Sequence, residues 1–453
     1  MLHRTNPDQP TARSRRSRRR RLGAAVALSG TLVTGLTAGS VAGASSHPRA
    51  GGGTLTIADV APFTGVDAAL GPIYLVACTA ATTAINKAGG VDGNKLACKS
   101  VDTRGDPADA VPAVRQLYAS TSNLALVIGL TSDEAASVVP IINANKTVMF
   151  AMTGQSEFDH IKFPYFYRLV PPDLAEAYAD VAIAKYTLHV KRVALAFGND
   201  IGSQAFVQPA IQALKKAGLQ LVANETLDLN ATTFRTEANK IVAAKPQAIF
   251  TEALGAADAT FLSEVQQENH GKMIPVIGTS ATISPDWFKS VAAAVGARTL
   301  ASNFVADNLV TLTSGPAYNA FASAMYAVKG KVGNTGNFST YLSSPGGVHL
   351  YDGINLAALA MVESKSTVPS VYRADIQKIG NGVPGAVTVS SFAQGVAALK
   401  AGKKIRYVGP GGPTSFDAYH DSPGIFQVDK YSAKGAVLVA GNLTTTQLRS
   451  VTP

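Results

Sequence analysis

The stretch Leu126-Val127-Ile128-Gly129-Leu130-Thr131-Ser132-Asp133-Glu134-Ala135-Ala136-Ser137 decides how the chain is read. An apolar run from Leu124 to Ile128 meets Gly129, then a polar turn, then an Ala-rich segment of helical character. Strand, glycine turn and helix start together make a ligand site, because the first helical turn leaves N–H groups unpaired at the positive end of the macrodipole. Taken alone, the same residues also describe an ordinary strand-to-helix turn capped by Ser132 or Asp133. The surrounding chain has to choose between the two.

Upstream, Thr54 to Ala61 alternates as a strand, and Pro62-Phe63-Thr64-Gly65 breaks it into a loop. Pro72 suits the first turn of a helix that runs to Lys87 and stops at Gly89-Gly90. A strand over 95–102 and a helix over 107–120 lead into the opening stretch, whose helix is expected over 135–143, with a strand following over 147–152. Downstream of Pro171-Pro172, helices over 174–187, 203–217, 234–244 and 257–269 alternate with strands over 192–197, 220–225, 247–251 and 274–278. Strand alternating with helix is the pattern of doubly wound parallel sheets, and two runs of it imply two α/β lobes. Ligands of such sheets sit beyond the carboxyl ends of the strands. Loops 63–67, 129–134, 153–157, 198–202, 252–256 and 279–282 leave such ends. Further helices are expected near 314–328, 350–363 and 390–400, a surface loop over 330–347, and a strand pair over 424–439.

The 453-residue chain is long enough for two or three domains, and 46% apolar residues suffice for packed cores. Its net charge of +10 is concentrated at one end. Residues 1–50 hold nine Arg and one acid, while the remainder is close to neutral, which removes the main support for a nucleic-acid partner. The basic run from Arg13 to Arg21, the uncharged segment 22–44 and the small residues Ala42-Gly43-Ala44 read as an export signal cleaved after Ala44. Only seven Leu or Val occur among the 23 residues 22–44, which is weak for a permanent anchor. Ser17-Arg18-Arg19 leaves twin-arginine export open. No Cys follows for lipid attachment. In an exported protein, Cys78 and Cys98 are expected to form a disulfide, which a loop of this size makes worth about 3 kcal/mol. Two buried free thiols are the alternative.

Searching for chemistry finds no Gly-x-Gly-x-x-Gly, phosphate-binding loop, His-Glu-x-x-His or Gly-x-Ser-x-Gly. The seven histidines have no ligand spacing, so neither a metal nor a cofactor is expected.

Several short motifs, in order, resemble the type I periplasmic-binding-protein fold, in particular the leucine/isoleucine/valine-binding proteins of ABC transporters. They are Ala61-Pro62-Phe63-Thr64-Gly65, Asn86 to Gly93, Asp102 through Asp106-Pro107, Ile128-Gly129 with Thr131-Ser132, Tyr167-Arg168 before Pro171, Asp200 with Gly202, Tyr351-Asp352, and Lys400 to Phe416. The resemblance covers about residues 54–440. It implies an α/β fold of two doubly wound parallel-sheet lobes joined by a three-crossing hinge, closing on one small-molecule ligand. The crossings fall near 169–172, 302–306 and 405–410. The implied organisation is an export signal (1–44), a flexible leader (45–53), lobe 1 (54–170 and 304–406), lobe 2 (171–303), and a C-terminal segment of lobe 2 or hinge (407–453).

By the same resemblance, Thr131, Ser132 and the Thr153 loop would hold a ligand carboxylate. Three positions depart from the family pattern. Asp133 stands where a small hydroxyl or glycine is usual, Ile201 replaces a tyrosine, and Ser280 falls near the ammonium-binding acid. At 4 Å, Asp133 would repel a carboxylate by about 4 kcal/mol at an effective dielectric of 20. Glu252 offers a replacement acid. Asp133 thus reads either as a contact selecting a donor-rich or cationic group, or as an N-cap of its own helix worth about 0.3–1 kcal/mol. Phe63, Gln155, Asn199 and Asp200 complete the candidate site. The expected function is capture, without chemistry, of a small polar or amphipathic ligand (an amino acid or related metabolite) by the monomeric solute-binding component of an ABC importer, with permease subunits as partners. A ligand sensor on the same fold is the alternative, and an exported enzyme a remote one.

Overall fold

The computed structural model describes residues 52–65, 67–332, 338–422 and 424–453; the expected export signal and nearly all of the leader lie outside the described residues. The first lobe begins with β1 (Thr54–Ala61), α1 (Leu70–Lys87), β2 (Lys95–Asp102), α2 (Pro107–Ser120), β3 (Leu124–Gly129), α3 (Ser132–Ala144), β4 (Met149–Ala151) and β5 (Phe166–Arg168). Its five strands are all parallel, in the order β2-β1-β3-β4-β5. Strands inside such a sheet are covered on both faces, which is why β3 reads as an unbroken Leu-Ala-Leu-Val-Ile run. β5, three residues long, was not foreseen because so short a strand shows no period.

The second lobe takes α4 (Asp173–Ala182), β6 (Arg192–Gly198), α5 (Ile201–Ala205), α6 (Val207–Ala217), β7 (Gln220–Leu227), α7 (Arg235–Ala244), β8 (Ala248–Glu252), α8 (Gly255–Glu268), β9 (Val276–Gly278), α9 (Pro285–Val295), α10 (Ala297–Asn303) and β10 (Phe304–Leu309). The chain then returns to the first lobe through α11 (Gly315–Val328), α12 (Pro345–Ser364), α13 (Pro369–Asn381), β11 (Val387–Val389), α14 (Phe392–Lys400), β12 (Ile405–Gly409) and β13 (Gly412–Pro413). β14 (Phe426–Tyr431), β15 (Val437–Asn442) and α15 (Thr445–Val451) finish in the second lobe. Its seven-stranded sheet runs β15-β14-β10-β9-β8-β6-β7, with β14 alone antiparallel to its two neighbours. α12 is buried all round from Pro345 to Met361, as its nearly continuous apolar sequence requires. It starts five residues before the expected helix, inside the segment read as surface loop.

Both expected returns shift. β10 pairs in register with β9 on one side and β14 on the other, so the second lobe extends past residue 303 to Leu309. Asp307 and Asn308 interrupt the apolar run of that strand and hid it. β12 pairs with β11, and Ile405 and Tyr407 enter the first lobe's core, so 405–410 is not a crossing. The hinge instead gathers at Leu169–Pro172, Val310–Leu312 and the segment ending at Ile425. Val310 N–H donates to the Ile425 carbonyl at 2.7 Å, and Leu312 N–H to that of Pro410 at 2.7 Å. Gly424, at φ +65°, lies between them; a Cβ there would come within 2.5 Å of Leu309 and 3.4 Å of Pro171.

Cys78 on α1 and Cys98 on β2 are joined by a disulfide, tying the sheet's edge strand to its covering helix. Reduction is expected to cost about 3 kcal/mol and to lower Tm by several degrees, as read by calorimetry with and without reductant. An unchanged Tm would show that the crosslink contributes nothing.

Candidate functional site

The turn after β3 aims the next helix at the cleft between the lobes. Gly129 has φ +93°, and a Cβ there would meet the Val60 carbonyl at 2.5 Å. Leu130 is also left-handed at φ +60°, a strain held in place by its fully buried side chain. α3 begins at Ser132, three residues before the expected start, and its N-cap is Thr131. Thr131 N–H and its hydroxyl donate to Glu134 at 2.8 and 2.5 Å, half of a capping box. Burial lifts Glu134 to about 7 against these bonds.

Asp133 therefore does not cap its own helix, as one reading had it. Its Oδ1 accepts the backbone N–H groups of Ile201 and Gly202 at 3.0 and 3.2 Å, at the start of α5 in the opposite lobe. One carboxylate thus clasps lobe to lobe. A second bridge runs from Asp173 N–H to the Gly154 carbonyl at 2.7 Å.

Around this clasp lies a cleft lined by both lobes. Thr131, Ser132, Asp133, Asp200, Glu252 and Ser280, all expected from sequence, line it. Five other candidates do not. The Phe63 ring packs into the first lobe's core, against α1. Thr153 sits one layer back, with its hydroxyl 3.2 Å from that of Ser132, and Gln155 bonds Thr153 and Arg168. Asn199 ties its loop to Asp228 and Leu229. Ile201 contributes its backbone N–H to the clasp, while its side chain is exposed. The cleft adds residues not foreseen: Asp67 from the loop after β1, and Asp173 and Glu176 from the first turn of α4. Asp67 lay in a loop already known to leave a strand end. Asp173 and Glu176 carried only the signal of acids in a helix's first turn, which dipole compensation explains equally well.

The electrostatics are one-sided. Asp67, Asp133, Asp173, Glu176, Asp200 and Glu252 line the cleft, and among the described residues no Lys, Arg or His does. Arg168, fully buried, is paired with Asp159 at 2.6 Å and Asp421 at 2.9 Å, and its charge only partly offsets the rise of Asp173. Burial dominates every shift in the group. Asp67 is pushed up to about 10 by burial, then by its hydrogen bond to Asp133 and the charges of Asp133, Asp200 and Glu134. Glu176 rises to about 7, held back by the Ser280 hydroxyl that donates to it at 2.8 Å. Asp173 and Glu252 rise well above the carboxylate range, although Glu252 accepts from the Thr279 hydroxyl. Asp200 rises too, while capping α5 through Ser203 N–H at 2.7 Å. Behind Glu176, Asp180 and Asp307 are fully buried and also raised, and Asp307 has only other carboxyls, Asp180 and Glu176, to share a proton with. Carboxyls packed this way share protons, because full ionisation without a counter-ion is too costly. No group of His, Cys, Asp or Glu among the described residues has the arrangement to hold a metal ion.

Two parallel-sheet lobes, three hinge crossings and a cleft beyond the strand ends define a two-lobed solute-binding protein of type I. The chain belongs to the periplasmic binding protein family, whose model matches residues 54–357. It is similar to Leu/Ile/Val-binding protein homolog 3 of Brucella melitensis, with 34% identity over 101 residues, 22% of this chain and 27% of that one. An amino acid binding protein of Pseudomonas aeruginosa is 22% identical over 290 residues, 63% of this chain and 70% of the other. The chain thus spans about a quarter of the first relative and over two thirds of the second. The branched-chain amino acid transporter substrate binding protein LivJ of Streptococcus pneumoniae, solved with isoleucine, shares the fold at a TM-score of 0.67 and 18% identity, covering 86% of this chain and 99% of that one. Among the described residues, no helix is long and apolar enough to cross a membrane.

Two outcomes follow. Asp133→Ala removes both clasp bonds, so the ligand-free variant should show a larger radius of gyration in solution scattering than the wild type; equal radii would deny the clasp its role. A carboxyl raised in the folded state binds its proton more tightly there than in the unfolded chain. Its contribution to stability is therefore lost as pH climbs from 4.5 towards about 7. Glu176→Gln should melt a few degrees above wild type at pH 8 and level with it at pH 4. A difference independent of pH would mean that Glu176 does not titrate in this range.

Proposed function

We propose that this protein is the exported solute-binding component of an ABC importer and that its ligand is a small cation, such as an amine or guanidinium, rather than a free carboxylic acid. The observation that carries the ligand class is the set of six carboxylates around one cleft with no cationic side chain among its walls. An α-carboxylate placed beside Thr131 and Ser132 would also face Asp133, and a like charge at about 4 Å costs about 4 kcal/mol at an effective dielectric of 20. A cation instead supplies the counter-charge that the buried carboxyls lack. Nothing in this reading requires chemistry. Closure would bury the ligand with contacts from both lobes and present the closed shape to permease subunits. Export with cleavage after Ala44 and action as a monomer belong to the same reading.

Cation binding favours the ionised carboxyls, so protons leave as the ligand enters. Affinity should therefore rise with pH between 6 and 8, by up to about tenfold per unit for each proton released. Thermal-shift screening of amines, guanidinium compounds and carboxylic acids identifies the class, and calorimetry of the best binder in two buffers of different ionisation enthalpy counts the protons. Asp173→Asn should weaken that binder at least tenfold. Stabilisation by acids alone, with none by cations, would overturn the proposal.

A further inference from the structure

The cleft is not a single chamber. Its inner part, which holds the carboxylates, is small, about 120 Å³. A second chamber of about 350 Å³ adjoins it, and Leu70, Leu254, Ala281 and Ser284 line both, forming the neck between them. The outer walls come from the two lobes and are mostly small or apolar. Gly65, Ala69 and Leu70 stand on one side; Leu229, the start of α8 from Leu254 to Ala257, and Trp287 stand on the other. Asp286 is the one charged residue of that lining. It lies in the first turn of α9, where the helix dipole already balances it.

The two chambers differ in charge: six carboxyl side chains line the inner one, against Asp286 in the outer. In the inner one, Asp173 is 6% exposed and its Oδ2 has no hydrogen-bond partner, a buried acceptor awaiting a donor. The outer one is lined by the half-buried Leu70, Leu229 and Leu254, with Ser284, Asp286 and Ser290 as its polar side chains, and so rewards an uncharged chain. Leu70 and Leu254 stand where the two chambers adjoin, so a chain attached to a head in the inner chamber can extend past them into the outer one.

We infer that the site takes an elongated amphipathic cation, its charged head among Asp173, Glu176 and Asp133 and its uncharged chain threaded past Leu70 and Leu254 into the outer chamber. This rests on the cationic reading above and adds the shape and polarity of the remainder of the ligand. The outer chamber then acts as a ruler: chain length, rather than head chemistry, separates preferred ligands from tolerated ones. Because both lobes build it, a chain lying there also bridges them and adds to closure.

The probes are n-alkylamines from ethylamine to octylamine, with 1,6-diaminohexane as a length-matched dication, titrated by calorimetry into the full mature chain at pH 8. Affinity should rise about three- to fourfold per methylene until the chamber is full, with hexylamine ahead of the diamine. Ala256 is exposed at the outer wall, so Ala256→Trp can fill the chamber without disturbing the core. That variant should compress the octylamine-to-ethylamine affinity ratio at least tenfold, while its Tm confirms folding. Equal affinity for all chain lengths would overturn this inference and leave the cationic reading standing. A diamine stronger than hexylamine would also overturn it, by placing a second charge at Asp286. Binding by none of the amines at any length, nor by the guanidinium compounds of the thermal-shift screen, would overturn both readings together.

Discussion

Burying carboxylates without cations is the constraint around which this molecule is arranged. Asp67, Asp133, Asp173, Glu176, Asp200 and Glu252 converge from loops and helix starts of both lobes, and each needs donors. Hydroxyls meet part of that demand: Ser280 serves Glu176, and Thr279 and Ser203 serve Glu252. Backbone amides meet another part, at Ile201 and Gly202 for Asp133 and at Ser203 for Asp200. Protonation supplies what is left, which is why burial raises Asp67, Asp173, Glu176 and Glu252 together. The cleft's carboxyls are thus held largely neutral by protons that burial retains.

The hinge meets the opposite problem and solves it locally. Arg168, fully buried at the end of β5, is matched by Asp159 and Asp421 and also donates to the Gln155 carbonyl. Its backbone N–H reaches the His420 carbonyl, so the first and last crossings are held by one residue. A buried charge pair of this kind contributes little net stability, but breaking it by removing one partner is costly. Among the described residues, the fully buried guanidinium of Arg168 is thus engaged at the first and last crossings, and its charge offsets only part of the rise that burial imposes on Asp173.

Asp133 sets the character of the α3 start. A small residue there would leave the α3 start open to a ligand anion. With a carboxylate, that start turns towards the other lobe and grips the beginning of α5. The surface that could receive an anion becomes a latch between the lobes.

Much of the fold was legible locally. Thr54–Ala61, Lys95–Asp102 and Pro107–Ser120 begin and end where alternation, glycines and a helix-opening proline placed them, because period and capping are properties of neighbouring residues. The short strand Phe166–Arg168, and Phe304–Leu309 with its buried Asp307, were hidden because only partners distant in sequence make them strands. The same division runs through the site. Thr131, Ser132, Asp133, Asp200, Glu252 and Ser280 were recognisable from their places after strand ends. Phe63 and Asn199 occupy equivalent places and turn away, and Asp173 and Glu176 looked like ordinary helix-start acids. By itself the sequence determined the two α/β lobes and the loops that could face a ligand. Only the tertiary structure decided that the cleft is acidic, that Asp133 joins the lobes and that a second, apolar chamber opens beside it. Charge and shape in a cleft depend on what the opposite wall brings, and that wall lies tens of residues or more away along the chain.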